Sequence, residues 1–137
     1  MTETKCSVTV MLVCDGTAGF IRRDPSDTFG GLLVAPGGKI EMEDFLEVHE
    51  DTPYFSVEAA ALREIIEETG IELERDNLRY FCSLTLPNGR IVISFWALVE
   101  NPSDGLEWYT AEQIQARDDF APGMKQEALL CLSISIL

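Results

Sequence analysis

Glu64, Glu67 and Glu68 fall within five positions of the segment REIIEETGI, residues 63–71. Like charges three and four apart on a helix repel one another. Such a cluster is therefore either a solvated acidic face or the seat of something strongly positive. With Glu58 as the origin of a helical wheel at ~100° per residue, Glu67, Glu64 and Glu68 fall at about 180°, 240° and 280°, with Arg63 beside them at about 140°. Ala59, Ala61, Leu62, Ile65 and Ile66 take the other side, so the spacing predicts a buried face opposite a carboxylate face. Carboxylates converging on one small volume suit a hard cation such as Mg²⁺, which binds through a few carboxylates and substrate phosphates. Exposed helix faces usually mix signs, whereas Arg63 is the only base between Ser56 and Glu74. Upstream, Gly37-Gly38-Lys39 offers an open backbone that can approach phosphates and a lysine to neutralise them.

The elements that must position these groups follow from local signals. Ser56 caps a helix over residues 57–69, and Gly70 stands at its C-cap. Ser7 to Val13 alternates as a first strand, and the Asp15-Gly16 turn returns the chain through Phe20-Ile21-Arg22-Arg23 as a hairpin. DPSDTFGG is loop, LLVA a short strand, and Pro36-Gly37-Gly38 predicts irregular backbone. The acidic segment 40–55 has no clean period and reads as loop with at most one helical turn. LRYFCSLTL and RIVISFWALVE are strands joined at Asn88-Gly89, a strong hairpin turn. LEWY reads as a short strand. Thr110 and Gln113 form a capping-box signature for a short helix, and Pro122 leads a last one. Unevenly interleaved strands and helices with two hairpins predict an α/β fold with a mixed sheet.

At 137 residues the chain suits one domain, residues 1–137. Its 24 acids against 10 bases give a net charge of −14, which opposes binding to nucleic acid or an anionic membrane surface. Cys6, Cys14, Cys82 and Cys131 are scattered and His49 is the one histidine, which argues against a Cys/His zinc site and for reduced, buried thiols. His49, set among acids, reads as a loop residue. The first residues mix acid and base with no cleavage site after the apolar run, unlike a signal peptide. No run reaches the ~20 apolar residues of a membrane helix. The expectation is a cytoplasmic protein, monomer or homodimer, with a small-molecule substrate.

PGGKIE followed by AALREIIEETGI resembles the signature of the Nudix hydrolases, G-x5-E-x7-R-E-U-x-E-E-x-G-U with U a bulky aliphatic residue. Arg63 to Ile71 matches at every defined position of the second half. The resemblance implies an α/β/α sandwich around a mixed β-sheet and cleavage of a nucleoside diphosphate linked to another moiety, with Mg²⁺ or Mn²⁺ as cofactor. It implies Glu64, Glu67 and Glu68 as metal ligands, one of them assisting the attacking water, with the Gly38 carbonyl completing the site. It further implies that Arg63 orients Glu64 and that Lys39 faces the phosphates. The short chain and FIRR…PGGKIEM look most like the MutT branch, which converts a (d)NTP to (d)NMP and pyrophosphate, with Arg23 holding a purine. ADP-ribose or a nucleotide sugar is the alternative substrate, and a catalytically weakened nucleotide-binding module the alternative function.

The pattern leaves 13 residues between its glycine and arginine, and this chain has 24 between Gly38 and Arg63, an insertion of 11 within a box spanning 38–71. Counting back from Arg63 puts Phe55 where the first glutamate of the box belongs. An acid of the insertion, Glu47 or Glu50 ahead of Asp51, is then expected to replace it, the insertion acting as a lid.

Overall fold

The computed structural model describes residues 3–41, 43–44 and 56–136. Strands β1 (Glu3–Cys14), β2 (Thr17–Arg22), β3 (Leu33–Val34) and β4 (Gly37–Glu41) come first, and helix α1 (Ser56–Thr69) follows. A 3₁₀ turn over Arg75–Asn77, not anticipated from sequence, leads into β5 (Arg79–Thr85) and β6 (Ile91–Leu98). The chain ends with β7 (Glu107–Thr110), α2 (Ala111–Ala116) and α3 (Met124–Ser135). Hydrogen bonding orders the strands β3-β2-β1-β6-β5, with β4 pairing β1 and β7 pairing β2. The β1–β2, β1–β4, β2–β3 and β2–β7 pairs are antiparallel, and Leu33 bridges Phe120 in parallel, so the sheet is mixed.

The chain divides into two compact units, residues 1–10 with 37–95 and residues 11–36 with 96–137. In the first, β1 pairs β4 with Ser7 opposite Lys39, Val8 opposite Gly38 and Thr9 opposite Gly37. Gly37 and Gly38 are thus the start of a regular strand, not the irregular backbone expected of Pro-Gly-Gly. Neither glycine has positive φ, and what demands them is space. A Cβ on Gly37 would strike the Val8 carbonyl oxygen, and one on Gly38 would lie 2.5 Å from the Glu64 carboxyl carbon. Val8, Val10, Ile40, Ala60, Ala61 and Ile65 make this unit's core. Gly70, at φ 73°, ends α1 by donating its N–H to the Ile66 carbonyl at 2.9 Å. The Asn88-Gly89 turn closes β5 onto β6, with Leu86 N–H donating to the Arg90 carbonyl at 2.8 Å.

In the second unit, Asp15 and Gly16 at φ 47° and 74° give the primed turn that joins β1 to β2. Phe20 packs edge-on to Phe120, ring centroids 4.9 Å apart, over a core that includes Leu12, Leu33, Ile114 and Cys131. The capping box of α2 forms as expected, with Thr110 and Gln113 each accepting the other's backbone N–H. Arg22 clamps this unit. It donates to both oxygens of Glu107 at 2.9 Å and to Asp119 at 3.0 Å. Arg117 shares Asp119 at 2.6 Å and lies over the Tyr109 ring. None of the four cysteines forms a disulfide. No helix among the described residues is long and apolar enough to cross a membrane.

Candidate active site

Helix α1 packs on β4, and the small side chains Ala60 and Ala61 bring the two backbones close. The face α1 turns inward differs from the one its apolar periodicity predicts. Ala60, Ala61 and Ile65 are fully buried, while Ile66 is 47% exposed. On the wheel the buried trio sits at about 200°, 300° and 340°, an arc that contains the positions of Glu64 and Glu68. Two of the three acids are therefore turned in towards β4. Glu67, with 57% of its side chain exposed, looks outward, and Glu68 is exposed too although it reaches back to the β4 backbone.

Glu64 lies against Gly38, occupying the volume any larger residue would fill. Glu68 accepts the Gly37 backbone N–H through Oε1 at 2.7 Å. Burial raises the Glu64 pKa above the ordinary glutamate value. The Arg63 charge opposes that shift, while Glu67 and Glu41 add to it.

Arg63 organises the cluster. Its Nε and Nη2 donate to Oδ1 and Oδ2 of Asp44, each at 2.9 Å, and Nη1 donates to Glu64 at 3.0 Å. Nη2 also reaches the Lys39 carbonyl at 3.3 Å, and Glu67 lies 3.6 Å from Nη1. Arg63 thus serves neighbouring acids and a backbone carbonyl. These ion pairs and hydrogen bonds push its pKa up, so it stays charged.

Asp44 is the member of this cluster that sequence reasoning missed. It is 3% exposed, and besides Arg63 it accepts the Glu41 N–H at 2.7 Å. A signal for it existed, because counting forward from Gly38 by the pattern's x5 lands on Asp44. The box carboxylate is present, shortened by one methylene, and the 11 extra residues all follow it. No replacement acid from the insertion is needed to explain the Arg63 partner. Glu47, Glu50, Asp51, His49 and Phe55 lie outside the described residues.

Lys39 is exposed. Alternation along β4 places it on the face opposite Gly38, and therefore opposite Glu64. Arg23 belongs to the second unit. There it lies 3.8 Å from Asp27, and its Nε is buried without a hydrogen-bond partner among the described residues.

The donor set of Glu64, Glu67 and Glu68 is all oxygen, which fits a hard divalent cation. Nearby in sequence, Glu43 Oε2 is buried with no partner among the described residues, an orphaned acceptor that a cation or proton would satisfy. Among the described residues no three acidic, histidine or cysteine side chains are drawn together tightly enough to hold an ion. Arg63 holds Glu64, and the Gly37 amide holds Glu68.

The chain has the fold of the Nudix hydrolases, an α/β/α sandwich on a mixed sheet. It is similar to a Nudix-family hydrolase from Clostridium perfringens, with TM-score 0.66 and 17% identity over 94% of this chain and 96% of that one. It is also similar to a MutT Nudix hydrolase from Burkholderia pseudomallei, with TM-score 0.62 and 23% identity over 90% and 94% of the two chains. A third similar structure is a bifunctional NMN adenylyltransferase/ADP ribose pyrophosphatase from Francisella tularensis, complexed with AMP and a Mn ion. Its TM-score is 0.66 at 16% identity, covering 98% of this chain and 42% of that one. No family model matches the sequence, and no curated protein does.

Proposed function

We propose that this protein is a divalent-metal-dependent Nudix pyrophosphohydrolase whose substrate is a nucleoside triphosphate, cleaved to nucleoside monophosphate and pyrophosphate. The observation that carries this reading is the linked set Asp44–Arg63–Glu64 on Gly38, with Glu68 on Gly37. An acidic helix face that was merely solvated has no reason to bury a guanidinium fork or to exclude every side chain from Gly38.

Glu64, Glu67 and Glu68 would hold Mg²⁺ or Mn²⁺, with the Gly38 carbonyl beside them. The cation, when bound, neutralises the charge that builds on the phosphate oxygens. Water attacks phosphorus, the bridging P–O bond breaks, and a carboxylate of the cluster accepts the water's proton. Arg63 keeps Glu64 in place throughout, because the Asp44 fork leaves its guanidinium no freedom to swing. The similarity to a structure with AMP and Mn supports a nucleotide and a divalent cation as ligands.

ADP-ribose or a nucleotide sugar is the competing substrate class, since the same similar protein is an ADP ribose pyrophosphatase. A panel of (d)NTPs, oxidised (d)NTPs, ADP-ribose, nucleotide sugars and dinucleoside polyphosphates, assayed with Mg²⁺ by product mass, decides. Release of monophosphate and pyrophosphate from a triphosphate is the expected result. Turnover of ADP-ribose or nucleotide sugars alone would overturn the triphosphate assignment, and no turnover of any member would overturn the enzyme.

A further inference from the structure

Strand β5 (Arg79–Thr85) ends the order β3-β2-β1-β6-β5, so among the described residues it has a strand on one side alone. An open edge presents a row of unpaired N–H and C=O groups, which natural strands commonly blunt with charge or proline. Tyr80 to Thr85 contains neither. Of the chain's 24 acids none falls between Asp76 and Glu100, and Arg79 and Arg90 are the only bases of that run. Arg90 turns back to β1, where its Nη1 donates to the Ser7 hydroxyl at 3.0 Å. The hairpin thus offers a neutral, apolar edge on a protein of net charge −14. Leu84, Leu86 and Ile91 are exposed along it, and Tyr80 is 63% exposed. The Tyr80 ring is nonetheless held in place. It lies edge-on to Phe95, centroids 6.4 Å apart, and its hydroxyl shares a hydrogen bond with that of Ser83 at 2.8 Å. An exposed aromatic that is already ordered loses little freedom when covered, which suits an interface anchor.

We propose that a second copy of the chain docks on this edge, β5 pairing antiparallel with β5 about a twofold axis. Two molecules of like net charge repel one another, and they meet with least repulsion where acids are absent. A strand of seven residues pairs with itself over its full length only about its middle residue, which is Cys82. That register sets Tyr80 opposite Leu84 of the second copy, and Arg79 opposite Thr85 of the second copy, each contact occurring twice. An aromatic opposite an aliphatic residue is a favourable cross-strand pair, and both members are exposed in the single chain. Cys82, which forms no disulfide within the chain, falls opposite its own counterpart. The proposal is independent of the pyrophosphohydrolase reading.

Sedimentation velocity of the full-length protein across a concentration series reads the association. Wild type is expected to be a dimer that dissociates on dilution. Thr85→Lys should raise the dissociation constant about tenfold, because each lysine meets Arg79 of the other copy. Thr85→Glu should lower it, although it adds an acid to each copy of an already acidic protein. Leu84→Glu should leave only monomer, and the Thr85 variants decide the matter should that protein fail to fold. Leu130→Glu, at an exposed apolar position on α3, is the control and should leave the dimer unchanged. A short bismaleimide should link two copies of wild type and of Cys6→Ser, but not of Cys82→Ser. Circular dichroism melts that match wild type show which variants are folded. A wild type that stays monomeric at every concentration would overturn the proposal, whether or not the edge takes up another protein. So would a folded Leu84→Glu dimer, a Thr85→Glu protein weakened as much as Thr85→Lys, or cross-linking that persists without Cys82.

Discussion

Arg63 grips Asp44 with two parallel hydrogen bonds of 2.9 Å and still spends its third nitrogen on Glu64. The pair links the end of β4 to the middle of α1, and Asp44 is almost wholly removed from water. Asp44→Asn would turn an amide N–H towards the guanidinium and take from Arg63 the carboxylate that its fork grips, leaving Glu64 as its nearest acid. The expected cost is about 2–3 kcal/mol in urea unfolding, towards the low end for a broken buried pair because Arg63 is a quarter exposed. Asp44→Glu should recover most of it, and Arg63→Lys should not, since an ammonium cannot fork. An Asp44→Asn protein as stable as the parent would remove the pair from the account.

The insertion can be tested by arithmetic. Deleting residues 45–55 leaves seven residues between Asp44 and Arg63, the spacing of the Nudix pattern. The shortened protein is expected to fold with a melting curve as cooperative as the parent's. Phe55→Glu in the full-length protein should change turnover by less than about twofold, because Asp44 already fills the box position. A marked gain from Phe55→Glu would restore the reading in which the box carboxylate is missing.

Gly37 and Gly38 are neighbours with separable roles. Gly38→Ala intrudes on the flexible end of Glu64, 2.5 Å from its carboxyl carbon. The fold is expected to survive, while turnover drops about a hundredfold as that carboxylate is displaced. Gly37→Ala meets the Val8 backbone instead and should unfold the protein or lower its Tm sharply. Circular dichroism melts beside activity assays separate the two, and identical behaviour would contradict the division of roles.

The second unit carries its own pH dependence. Hydrogen bonds from Arg117 and Arg22 lower the Asp119 carboxyl to about 2 from the ordinary 3.8, and those from Arg22 and Tyr109 lower Glu107. A depressed carboxyl stabilises the folded state fully above its unfolded pKa and ceases to do so as pH falls through the folded one. Stability should therefore decline between about pH 4 and pH 2. Arg22→Met should be less stable at neutral pH and lose less across that window. Parallel pH profiles of the two proteins would contradict the clamp.

Much of this was legible because it rests on local chemistry. Asp15-Gly16 and Asn88-Gly89 need positive φ, which few other residue pairs supply. Thr110 and Gln113 cap α2 with their own side chains, so a three-residue spacing sufficed. What was misread depends on tertiary contact. The Pro-Gly-Gly segment looked irregular because glycine signals freedom, yet these glycines make room for Val8 and Glu64. The inward face of α1 was misjudged because apolar periodicity assigns Ile66 to the core and Glu64 to solvent. The close approach of α1 to β4 reverses both. Asp44 was hidden by counting backward across an insertion when the pattern also runs forward.

The most direct measurement is hydrolysis of a nucleoside triphosphate across a Mg²⁺ titration, by wild type and by Glu64→Gln, Glu67→Gln and Glu68→Gln. The account predicts no turnover without the cation and saturable activation with it. Each variant should remain folded and lose about a hundredfold or more in kcat. Turnover independent of Mg²⁺, or a variant with near wild-type rate at saturating Mg²⁺, would contradict the assignment of these three glutamates.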